Sequence, residues 1–314
     1  MSLRRTKDCL LVFALPVFSR CLLLAVVVLT ASGCASLRKM KPAPEALSTC
    51  RSLSRDGVAA LERGECDAAC QLLHEAVETN PRDADARRQL AEALWAQHQY
   101  AAATEMIESA VQLEPTYAPT LVRAGEMLHE TGVTVTALQR VNRAIALDGT
   151  LAAAWALRGR LYRSQSQPER ALADLHQSLR YSPHDTSVLL DVAELQYQLG
   201  RPQRCLASVH HLLDTYGPGD EPQRALWLEG LAYSSVDRPA DAAASLLAAS
   251  GRGAPNAELL FQLAKAQAAA GHRQAATTSV QQALAVDAGH QQSRVLMAQL
   301  ADEGAATGGA ILRR

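Results

Sequence analysis

Aromatic residues make up only 4% of this 314-residue chain. No stretch alternates Val, Ile, Thr and aromatic side chains as a half-buried strand does. That scarcity argues against a sheet, and the abundant Ala and Leu argue for helix. A basic surplus is also missing, since the formal net charge is −1. Without one, the chain has no means of binding nucleic acid or coating an anionic membrane by charge. HExxH, a phosphate-cradling Gly loop and GxSxG are all absent. No catalytic residue, metal or cofactor is therefore expected. Long apolar runs are missing too. The run Cys21–Leu29, CLLLAVVVL, falls short of the ~20 residues that span a bilayer.

What the chain has in quantity is a repeat of thirty-four residues. Pro81, Pro115 and Pro183 sit at multiples of that spacing, and Gly149 holds the intervening place. The phrases before them align as HEAVETNP, ESAVQLEP, NRAIALDG and HQSLRYSP. A small-residue column runs through Gly57, Ala91, Gly125, Gly159 and Ala193. Two others run through Ala69, Ala103, Ala137, Ala171 and Cys205, and through Ala76, Ala110, Ala144 and Ser178. After Gly217 the phase slips by three residues across GPGDEPQ, then resumes at Gly230, Ala242 and Ala249, and at Ala264, Ala276 and Ala283. Small residues at such columns let helices approach to about 8–10 Å. Leu90, Leu94, Ile107 and Val111 keep the three-four spacing of a buried seam.

On those columns the sequence resembles the tetratricopeptide repeat (TPR) over residues 50–289, in seven units. The resemblance implies an all-α, right-handed solenoid of about seven antiparallel helix pairs, with residues 290–303 as a capping helix and 304–314 as a loose tail. Asp56 and Arg158 stand where the family prefers Leu. The resemblance also implies that first helices line a concave face. Periodicity and family pattern together place Arg88, Glu92, Trp95, Glu126, His129, Arg160, Arg163, Glu194, Tyr197, Trp227, Phe261 and Lys265 there, whereas Trp155 and Tyr162 fall in core columns. Aromatic and Arg side chains are typical interface anchors, so a protein or peptide partner is expected in that groove. Trp227 and Phe261 have the competing role of packing between repeats. The family's carboxylate clamp uses Asn and Lys, where this chain has Glu92, Glu126 and Glu194.

Residues 1–33 read as an export signal, with Arg4, Arg5, Lys7 and Arg20 ahead of the apolar run and small residues after it. The competing reading joins Cys9–Phe18 to that run as an uncleaved anchor, broken by Pro16 and Arg20. ASGC, ending at Cys34, resembles the lipobox of bacterial lipoproteins, which implies lipidation of Cys34 and a membrane anchor. Ala35 after the cysteine resembles an outer-membrane address, so the expected place is the bacterial envelope, facing the periplasm. Cleavage would leave 27 basic and 31 acidic residues, a net charge of −4. Residues 34–49 then form a polar tether.

An exported chain meets disulfide-forming conditions, and Cys50, Cys66, Cys70 and Cys205 remain in the body. Cys70 and Cys205 read as small core residues. Cys66, Cys70 and His74 share one helical stripe but span about 12 Å of rise, too far for one metal. His210, His211 and Asp214 read as a solvated helix end, since a second pair of ligands is missing. The expected function is a membrane-anchored scaffold that recruits partners to an assembly or export machine. The alternatives are a peptidoglycan enzyme or its regulator, and an inner-membrane assembly chaperone.

Overall fold

The computed structural model describes residues 44–311, with side chains up to residue 302. The expected signal segment, Cys34 and residues 35–43 of the tether lie outside the described residues. Among the described residues there are fifteen helices and no strand. None of these helices is long and apolar enough to cross a membrane.

The chain divides into two compact units at Ala86/Arg87. The first holds α1 (Pro44–Glu62) and α2 (Cys66–Thr79), which pack as an antiparallel pair. Gly57 makes the crossing possible, because a Cβ there would lie 2.6 Å from Leu73 Cγ. Cys50, Ala76 and Ala86 close a small core beside it. The tether expectation is corrected here: α1 begins at Pro44, inside the segment 34–49 read as a polar tether. Pro is suited to a first helical turn because its missing N–H would be unsatisfied anyway. The Ser48 and Thr49 hydroxyls donate back to the Glu45 carbonyl. Asp56 is exposed and accepts from Ser52 at 3.5 Å, so it makes no demand on the core.

In α3 (Ala84–Ala96) the chain passes into the second unit. There α4 (Tyr100–Leu113), α5 (Ala118–Glu130), α6 (Thr134–Leu147), α7 (Ala152–Ser164) and α8 (Pro168–Tyr181) follow. Next come α9 (Thr186–Gln198), α10 (Pro202–Leu213), α11 (Gln223–Ser235), α12 (Pro239–Ser250), α13 (Ala257–Ala269), α14 (Arg273–Val286) and α15 (Gln291–Ile311). From α5 onward each pair packs on itself and on the next pair, the pattern of a helical-repeat solenoid. One core runs without interruption from Ala91 to Leu161 through three repeats. Ala103, Ala137, Ala171, Cys205, Ala242 and Ala276 of the second-helix column are all fully buried.

The nine-residue stretch between α10 and α11 absorbs the phase slip. It is pinned by Glu221, which accepts from the Gly219 N–H at 3.0 Å and pairs with Arg252 at 2.6 Å. Arg158, standing where the family prefers Leu, pairs with the buried Asp174 of α8 at 2.6 and 2.9 Å. An ion pair thus replaces the apolar contact at that crossing. The tail expectation is also corrected: α15 runs on as helix to Ile311, past residue 303. Its Ala-rich sequence lacks a Pro to stop it.

Candidate functional site

The first helices of the second unit place the expected residues in three columns of thirty-four-residue spacing. Trp95, His129, Arg163 and Tyr197 form one, and Glu92, Glu126, Arg160 and Glu194 form another. The third holds Trp227 and Phe261. Each first helix contributes one residue to a column, so a column runs across successive repeats.

The charges on this face are spent largely on one another. Arg123, which sequence reasoning missed, grips Glu92 with two bonds of 2.6 and 2.7 Å and reaches Glu126 at 3.0 Å. Those hydrogen bonds to Glu92, foremost among the causes, push its guanidinium further above its ordinary range. It also lies 5.8 Å from the Trp95 ring, which meets Tyr100 edge-on at 4.7 Å. Arg88 donates to Thr120 at 2.9 Å and covers the Tyr117 ring.

Further along, Asp191, also missed, takes Arg160 at 2.6 Å and Arg163 at 2.8 Å. Arg163 continues to Glu194 at 3.6 Å, and Glu194 to Arg224 at 2.8 Å. Arg224 then stacks 4.5 Å over Trp227. This relay ties α7, α9 and α11 together. The first cluster sets two carboxylates against one guanidinium; the second sets three guanidinium groups against two carboxylates. Glu92, Glu126, Arg160, Arg163 and Glu194, expected on the partner-binding face, all take part in ion pairs within the chain. Glu92, Arg160, Arg163 and Glu194 join neighbouring repeats, because a guanidinium on one first helix and a carboxylate on an adjacent one fall within hydrogen-bonding reach, whereas Glu126 pairs with Arg123 of its own helix. A column read one helix at a time could not reveal this.

The aromatic positions divide. Tyr197 is half-buried against Cys205, Val209 and Leu228. Trp227 packs on Leu246, Leu263 and Leu259, so the packing role applies to it in part. Its indole N–H is buried without a hydrogen-bond partner among the described residues. Trp227 lines a cavity of about 130 Å³ together with Gln223, Arg224, Asn256 and Leu259. Phe261 lies 5.5 Å from the His290 ring. With Lys265, Val295 and Leu296 it lines a larger cavity, of about 300 Å³. His129 is half-buried, and its Nδ1 has no hydrogen-bond partner among the described residues. Trp155 donates to the Gly149 carbonyl at 2.8 Å, and Tyr162 packs on the core of α8 and α9.

Cys50, Cys66, Cys70 and Cys205 are free thiols, with Cys50 and Cys205 fully buried and Cys70 half-buried. Cys50 was not anticipated as a core residue. Its thiol contacts Asp83 Oδ2 at 3.6 Å. No group of three metal-binding side chains occurs among the described residues.

Models described as tetratricopeptide repeat match residues 60–110 and 156–204. Those two stretches carry tetratricopeptide repeats. Among solved structures, Pseudomonas aeruginosa PilF superposes with a TM-score of 0.58 at 22% identity, over 65% of this chain and 91% of that one. A TPR protein of Parabacteroides merdae gives 0.56 at 17% identity, over 81% and 99%. YrrB, described as a TPR protein with an unusual peptide-binding site, gives 0.54 at 16% identity, over 60% and 96%. At these identities the likeness is one of fold. No curated protein matches the chain. TPR proteins bind protein or peptide partners, and the two matched stretches are of that kind.

Proposed function

We propose that the chain is a lipid-anchored TPR scaffold of the bacterial envelope, holding a protein or peptide segment on the first-helix face of its second unit. The observation that carries the groove assignment is Trp227. It combines a half-buried ring, an unpartnered indole N–H and a place on the wall of a small polar cavity. A buried donor without an acceptor is costly, and a backbone carbonyl of an extended segment would satisfy it. Trp95 lies on the same helix face several repeats away, and the two ion-pair clusters between them leave charge of opposite sign. An occupant carrying both signs is favoured by that arrangement. YrrB, a TPR protein with a peptide-binding site, supports the same use of the fold. The anchor rests on ASGC and Cys34, and an outer-membrane, periplasm-facing address rests on Ala35.

The groove is tested by capture from envelope extract with the parent and with the Trp95→Ala/Trp227→Ala pair. Anchors of this kind cost about 2 kcal/mol or more on truncation, about thirtyfold in affinity. Equal capture by parent and pair, with helicity unchanged, would remove the groove from the proposal. The anchor is tested separately by intact mass: a wild-type chain that keeps residues 1–33 is not lipidated at Cys34.

A further inference from the structure

The face of α15 turned away from α14 continues the first-helix pattern, and among the described residues no second helix covers it. In the preceding repeats of the second unit the column through Ala91, Ala193 and Ala264 is fully buried by the second helix. Ala298 carries that column on, and it is exposed. Leu121, Leu189, Leu226 and Leu260 are buried one column away. Their successor is the exposed Arg294. Leu128, Gln196 and Gln267 are buried in a third column, which ends at the exposed Ala301. Asp302 and Val295 stand exposed at the edge of this stripe.

We propose that this face docks a second copy of the chain, α15 lying antiparallel to its counterpart across a two-fold axis at Ala298. In such an isologous contact each residue before the axis meets its mirror after it. Arg294 lies four residues before Ala298, and Asp302 lies four after. At 100° per residue each sits about 40° from the Ala298 direction, so each Arg294 faces the other copy's Asp302. Val295 and Ala301, three residues to either side, meet in the same way. The small side chain at the axis permits an approach of about 8 Å. Arg123, Arg158, Arg160 and Arg163 on other first helices all have carboxylate partners. Arg294 and Asp302 form no ion pair with each other or with the other described residues. A charge pattern that complements itself about one alanine selects a second copy over a foreign helix, which would need no such symmetry.

The test is sedimentation equilibrium of the full chain in mild detergent over a range of concentrations. The parent is expected to dimerise. Arg294→Asp and Asp302→Arg should each weaken the dimer about tenfold or more, and the two together should restore it to within about threefold, as charge pairs couple across interfaces. Ala298→Cys should crosslink with its own copy on oxidation, and Gln292→Cys, on another side of the helix, should not. All four positions are exposed, and unchanged helicity confirms folding. A parent that stays monomeric at about 100 µM, a weak-association concentration, overturns the proposal. So does a double reversal no better than the single ones, or crosslinking at residue 292 equal to that at 298. Loss of a heterologous helical partner from α15 variants of a monomeric parent would assign the face to that partner instead.

Discussion

Gly159 and Leu175 show how closely the crossings are fitted. A Cβ on Gly159 would lie 2.9 Å from Leu175 Cγ and 3.1 Å from the Ala171 carbonyl. The same sixteen-residue offset joins Gly57 to Leu73 and Gly230 to Leu246, with approaches of 2.6 and 2.4 Å. At the same offset Ala193 and Ala264 have the smaller Val209 and Val280, while Ala91 has the β-branched Ile107 and Gly125 has Val141. Gly159→Ala should therefore destabilise by about 1–3 kcal/mol through overpacking, outweighing the ~1 kcal/mol of helix propensity that Ala gains. Adding Leu175→Val should recover much of the loss, a non-additivity measurable by urea unfolding. Cys205 offers a second check. Burial pushes its thiol up to about 12, so alkylation at pH 8 should label it only after Cys66 and Cys70, as repeat five opens.

Within each pair, one residue of the helix turn adopts a positive φ. Gly takes that place at Gly64, Gly132, Gly200 and Gly271, but His98, Ser166 and Asp237 occupy it with φ of 61°, 58° and 58°. The bonds that close the turn are unaffected: Gln167 N–H still reaches the Tyr162 carbonyl at 2.9 Å, and Arg238 N–H the Tyr233 carbonyl at 3.0 Å. A left-handed backbone costs a non-glycine residue about 1–2 kcal/mol. Asp237→Gly and Ser166→Gly should thus raise the melting temperature, partly offset by glycine's greater entropy when unfolded. A fall in melting temperature for both would show that their side chains matter more than the turn. Between pairs, the hydrogen bond from Arg201 holds the exposed Glu169 carboxyl below its usual range. Its folded value is depressed, so its contribution is present above the ordinary carboxylate value near 4.3 and fades as pH falls through the folded one. Arg201→Gln should lower stability at neutral pH and leave it nearly unchanged in strong acid, as read from thermal melts across pH.

For the molecule as a whole, stability passes from neighbour to neighbour. The last pair is covered by α15, whose Leu300 is buried against Ala264, Ala276 and Val280. Arg273 donates to the Leu300 carbonyl. A chain ending at Gly289 should lose protection first in α14 and α13, while the continuous core from α3 to α7 keeps its own. Hydrogen exchange resolved by segment checks this. Uniform loss across every repeat would mean that the second unit unfolds as one block.

The thirty-four-residue columns determined the all-helical repeat, its seven pairs and the fully buried crossing residues, because these depend on contacts of fixed offset within a pair. The aromatic positions on the first helices were legible for the same reason. The sequence did not reveal that Glu92 and Glu126 share Arg123, or that Arg160 and Arg163 share Asp191. Those partners lie one repeat away or on a neighbouring column, and their meeting depends on how each pair is rotated against the next. The helical start at Pro44 and the run of α15 past residue 303 were likewise settled outside the repeat pattern. At the ends of a solenoid a helix has a neighbour on one side only, so periodicity carries less information there and backbone propensity decides.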